Sequence, residues 1–89
     1  MKYRISKNIE ITEVEEENSV ICFDVESGNS YILDEAGSSI LRTVGYGMEL
    51  WKAAETVAKG FDISASAIEA DIAVFTEKLI ESKIIEEAM

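Results

Sequence analysis

The sequence predicts an α+β domain, a three-stranded antiparallel sheet followed by three helices, and three observations predict it. Up to Leu33 the apolar residues alternate or cluster in short β-branched runs, which is the pattern of strands. From Asp34 onward they recur every three or four residues, the spacing of helices buried on one face. The connections are short and carry Gly, Asn and Ser, with no repeat, linker or low-complexity segment between them. The 89 residues are therefore expected to form a single domain, residues 1–89. A chain of that size buries only roughly 60 to 65% of the surface it exposes unfolded, enough for one modest core.

The first strand lies in "IEITEVEE", with Ile9, Ile11 and Val14 near one face. A polar turn over residues 15–18 leads to "SVICFDV", whose β-branched and aromatic residues on both faces suit the central strand. The turn "ESGN" brings Gly28 and Asn29, which tolerate positive φ, and "SYILD" is the third strand. Asp34 can cap the first helix, whose apolar stripe of Ala36, Ile40, Leu41 and Val44 stops at Gly45 and Gly47. The second helix runs over "ELWKAAETVAKGF" with Leu50, Ala54, Val57, Ala58 and Phe61 on one face and Gly60 as its breaker. The third, "SASAIEADIAVFTEKLIESK", starts near Ser64 or Ser66, with Glu69 completing a capping box after Ser66. Its seam is Ile68, Ile72, Phe75 and Leu79. In the tail, Ile84 and Ile85 are expected to pack inward and Glu86 and Glu87 to face water.

Composition narrows the function classes. Eighteen acidic residues against eight basic ones give a net charge of −10, which repels nucleic acid and anionic membranes. The amino end has no apolar run long enough for a signal sequence, and no segment approaches a membrane span, so a cytoplasmic location is expected. The absence of histidine removes the commonest general base and much transition-metal chemistry. Cys22, the sole cysteine, sits in an apolar run and reads as an inert core thiol. "AGSS" at 36–39 lacks the lysine of a phosphate-cradling loop and falls inside a helix. No enzyme, cofactor or metal site is expected.

One feature of the sheet stands apart. In a meander the third strand is an edge, and edges normally carry lysine, proline or a covering element. Ser30, Tyr31, Ile32 and Leu33 include neither guard residue. Either another element covers this strand or a partner pairs with it.

The segments "GNSYILDEAGSSIL", "AAETVAKGFDIS" and "EADIAVFTEKLIESKII" resemble the PqqD-like family, the recognition elements of ribosomally made, post-translationally modified peptides. The resemblance spans residues 9 to 87 and rests on Leu33-Asp34-x-x-Gly37 opening a helix and Asp71-Ile72-x-x-Phe75-x-x-x-Leu79 in the last one. It implies a winged-helix-like fold in which a precursor's leader peptide adds as a strand along the third strand, against the third helix. The implied binding residues are Asn29, Ser30, Tyr31, Ile32 and Leu33 on the edge and Asp71, Val74 and Lys78 on a helix shoulder, with Phe75 and Leu79 as groove floor. The implied partners are the leader peptide and a separate modifying enzyme, such as a radical SAM maturase or a lasso leader peptidase. Ala53 and Ala54 are smaller than the family's usual residues, and Trp51 reads as core or as a partner contact.

Two other uses of this layout stay open in the sequence. A winged helix can be a DNA-binding regulator, though here the third helix carries Glu69, Asp71, Glu77 and Glu81 against Lys78 and Lys83. The edge strand could also pair with a second copy, making the chain a dimeric structural subunit rather than a monomer.

Overall fold

The computed structural model describes residues 2–88 and gives the order β1 (Lys2–Ile5), β2 (Ile9–Val14), β3 (Ser19–Asp24), β4 (Ser30–Leu33), α1 (Glu35–Val44), α2 (Leu50–Gly60), α3 (Ala65–Glu81) and β5 (Ile85–Ala88). The predicted meander is present: β2, β3 and β4 form an antiparallel sheet in that order, with β3 central. A single turn of 3₁₀ helix, Glu15–Glu17, joins β2 to β3 and ends at Asn18 in the left-handed conformation. The three helices follow in the expected order, and the chain is an α+β fold.

The sheet count differs from the expectation. β1 and β5 form a separate antiparallel ribbon, with Lys2 opposite Ala88 and Ile5 opposite Ile85. The strand assignment therefore needs two short strands added at the chain ends, a three-plus-two arrangement in place of three strands alone. Neither segment is legible locally, because "KYRI" and "IEEA" are four residues long, are half charged, and pair across nearly the whole chain. Arg4 and Glu86, opposite each other in the ribbon, form an exposed ion pair at 2.8 Å.

The helices pack on one face of the meander. Val20, Cys22 and Leu33 from the sheet meet Ile40, Leu41 and Val44 of α1, Ala53, Ala54 and Val57 of α2, Ile72 and Leu79 of α3, and Ile84 and Ile85. Alternation puts Ile9, Ile11, Tyr31 and Leu33 on this inner face and leaves Ile21, Phe23, Ser30 and Ile32 on the other. The small side chains Ala53 and Ala54 are fully enclosed, so α2 lies close to its neighbours. Trp51 is not in the core; its side chain is exposed, as is that of Tyr46.

Local chemistry explains the helix ends. Asp34 Oδ1 accepts a hydrogen bond from the Gly37 amide at 2.8 Å, the expected cap. Ser38 is fully buried, and its hydroxyl donates to the Leu33 carbonyl at 3.1 Å, tying the end of β4 to α1. Ala36 is exposed rather than part of the buried stripe, which begins at Gly37 and Ser38. The capping box in α3 does not form: Ser64 is the N-cap without a side-chain bond, and Ser66 already lies inside the helix. α3 ends where Lys83 takes a positive φ of 61° and the Ile84 amide donates back to the Leu79 carbonyl at 2.9 Å.

Candidate functional site

The turn that delivers β4 is tightly held. Asp24 Oδ1 accepts from the amides of Glu26 at 2.9 Å and Ser27 at 3.3 Å, while the Gly28 amide donates to the Asp24 carbonyl. Gly28 has φ of 82°, a conformation that glycine adopts without steric cost. A hydrogen bond from the Asn8 side chain, with the Glu26 and Ser27 amides adding to it, holds the Asp24 carboxyl below its ordinary range. The Asp24 amide donates to the Asn29 carbonyl at 2.8 Å.

That last bond fixes the parity of the ladder. Hydrogen-bonded pairs alternate along an antiparallel pair, so Asp24 with Asn29, Cys22 with Tyr31 and Val20 with Leu33 are the bonded pairs. The amides and carbonyls of Asn29, Tyr31 and Leu33 therefore face β3. Those of Ser30 and Ile32 face the other way, where no strand among the described residues pairs with β4.

α3 runs beside this edge. A Cβ on Gly37, just beyond β4, would lie 2.8 Å from Cζ of Phe75, so the glycine admits the Phe75 ring against the start of α1. At the opposite end, Asn29 and Tyr31 share an open cleft of about 380 Å³ with Glu81, Ser82 and Lys83. β4 and α3 therefore run antiparallel, with a groove between them. Asp71, Phe75, Lys78 and Ser82 follow one another at spacings of four, three and four, which places them along one helix flank.

The sequence-predicted residues divide accordingly. Ser30 and Ile32 offer backbone groups at the edge, while Asn29 and Tyr31 turn their side chains to the groove side. Asp71 and Lys78 are exposed on the flank and Phe75 is half-buried. Val74 is exposed but lies farther around the helix. Leu79 does not form a groove floor: at 2% exposure it is sealed in the core beside Ile72, while Phe75, one turn before it on the same seam, stays half-buried. Leu33 is likewise buried, so it contributes no side chain to the groove. The sequence gives no sign of the cleft at Glu81–Lys83, although the spacing of four from Lys78 puts Ser82 on the same flank.

Burial pushes the Cys22 thiol up to about 11, far from a reactive thiolate. Among the described residues no group of acidic, histidine or cysteine side chains is placed to hold a metal ion. Open backbone groups beside a half-apolar groove instead suit an extended chain.

Residues 19–85 match the family model for Coenzyme PQQ synthesis protein D (PqqD). The chain belongs to the PqqD family. The match takes in β3, β4, all three helices and the first residue of β5. Solved structures with the same fold include TbiB1 in complex with the TbiA(beta) leader peptide, at TM-score 0.83 and 17% identity over 97% of this chain and 98% of that one. Lasso peptide synthetase B1 complexed with its leader peptide is similar at TM-score 0.83 and 17% identity, covering 98% and 100%. The PqqD truncation of Methylobacterium extorquens PqqCD, described as a stand-alone peptide recognition element, gives TM-score 0.74 and 20% identity over 96% and 88%. At these identities the structural likeness establishes the PqqD fold. No curated protein matches the chain in sequence.

Proposed function

We propose that this PqqD-family chain is a non-catalytic peptide chaperone, which binds the leader of a ribosomally made precursor by strand addition and delivers it to a separate modifying enzyme. The observation that carries the reading is the outward-facing amide and carbonyl of both Ser30 and Ile32 beside the groove of α3. Backbone pairing gives a grip that tolerates sequence, and the groove side chains Tyr31, Asp71, Phe75 and Lys78 read alternate residues of the added strand. Family membership and the leader-bound relatives of the same fold support it. The enzyme would be a radical SAM maturase or a leader peptidase, and tethering raises the substrate's effective concentration there.

Residues 1–89 work in this reading as one recognition domain with a winged-helix-like arrangement, located in the cytoplasm, where Cys22 stays a thiol. No described helix is long and apolar enough to cross a membrane. The exposed acids Glu69, Asp71, Glu77 and Glu81 on α3 disfavour the DNA-binding alternative. A second copy pairing at β4 would compete with the leader for the same backbone groups.

The test is a titration of the ¹⁵N-labelled chain with the leader encoded beside it. Amide shifts should concentrate on residues 29–33 and on the Asp71–Ser82 flank. An absence of shifts up to millimolar peptide would overturn the proposal.

A further inference from the structure

Helices cover only the inner face of the meander, and the outer face carries an apolar patch. Ile21 on β3 sits directly opposite Ile32 on β4 in a non-bonded pair, the arrangement in which side chains approach most closely. Phe23 follows two residues along β3, and Val25 continues the row into the turn. Ile32 is 76% exposed, Val25 51% and Phe23 38%, while Ile21 is partly covered by its neighbours. Contiguous exposed apolar side chains on a small acidic protein mark an interaction surface.

Two observations say what covers it. The charged side chain among the strand residues of this face is Glu10, opposite Phe23, with Glu15–Glu17 at one end of the sheet and Glu26 at the other. A second copy would bring acid against acid, so the complementary surface has an apolar centre and a basic rim. In addition, Ile32 lies on the free edge strand. A peptide residue paired with Ile32 would project its own side chain onto this outer face, beside Ile32 and Ile21.

We propose that the outer face formed by Ile21, Phe23, Val25 and Ile32 docks a basic-rimmed apolar surface of the enzyme that acts on the bound peptide. The inference rests on the leader-binding reading for its occupant, but not for the surface itself. The groove of α3 and the outer face lie on opposite sides of the sheet, so one molecule can hold the peptide with one and the enzyme with the other. An added strand extends the docking face by the side chains it projects there, which makes the loaded chain the better partner.

The experiment uses the full chain, its encoded leader and the modifying enzyme from the same gene cluster, with Ile21→Glu and Phe23→Glu as variants. Both positions lie on the solvent face, and amide spectra check that each variant folds. Leader affinity should stay within about twofold of the parent for Phe23→Glu, which lies away from the peptide residue beside Ile21, and enzyme affinity should fall at least tenfold for both variants. Leader should tighten enzyme binding to the parent, and added salt should weaken it. Unchanged enzyme binding by both variants, or no enzyme binding by the parent, overturns the proposal. A dimer of the parent that the variants dissolve also overturns it, in favour of a second copy. If the parent binds no leader, the chaperone reading fails; the variants' effect on enzyme binding to the free chain still decides the surface. Should neither glutamate variant fold, Ile21→Thr and Phe23→Thr give the same comparison.

Discussion

Replacing Ile32 by proline tests the parity of β4 more sharply than any side-chain truncation. The Ile32 amide faces away from β3, so proline there removes no bond from the ladder, and proline is tolerated on an edge of this kind. Tyr31 before it is extended, as a residue preceding proline should be. The fold should therefore survive with its melting temperature nearly unchanged. An incoming strand loses the Ile32 donor, about 1 kcal/mol net. The ring also obstructs the adjacent bond to the Ile32 carbonyl, about 1 kcal/mol more. The sum of about 2 kcal/mol corresponds to roughly a 30-fold rise in Kd, read by fluorescence anisotropy of labelled leader. Tyr31→Pro is the internal control, because it breaks the bonded pair with Cys22 and removes a half-buried ring. It should cost roughly 2 kcal/mol or more in urea unfolding. Leader binding to a folded Ile32→Pro variant as tight as to the parent would refute strand addition at this edge. A Tyr31→Pro variant as stable as the parent would refute the parity.

Two further expectations concern stability. Asp24 has a depressed carboxyl in the folded protein, so its contribution is present above its unfolded value, about pH 4, and is lost as pH falls through the folded value. Asp24→Asn should flatten the acid limb of the stability curve below about pH 4, and superimposable limbs for parent and variant would rule the assignment out. Thr76 is buried in α3 with its hydroxyl unpartnered among the described residues. Thr76→Val keeps the shape and should raise stability by about 1 kcal/mol in a urea titration; a loss of similar size would mean that the hydroxyl is bonded.

Much of this protein is decided by neighbours in the chain. The apolar run in "SVICFD", the short strand "SYIL", the cap of Asp34 on Gly37 and the end of α1 at Gly45 depend on residues a few positions apart, so the meander and the three helices are legible in the sequence, although α2 runs through Gly60 and is capped at Phe61. So is the absence of guard residues on β4. The rest depends on partners far away in sequence. The ribbon of β1 and β5 exists because Lys2–Ile5 meets Ile85–Ala88, and neither segment carries a pattern strong enough to announce the other. Periodicity puts Phe75 and Leu79 on a common seam, but only packing decides that Phe75 stands half-open over Gly37 while Leu79 is sealed in the core. The groove follows the same rule: the bond from Asp24 to Asn29 sets which amides of β4 face outward, and the path of α3 sets what they face. Sequence determines the strands of the meander, the helices and which edge is unguarded, since those are local preferences. Register and burial are relations between distant residues, and they exist only once the chain has folded.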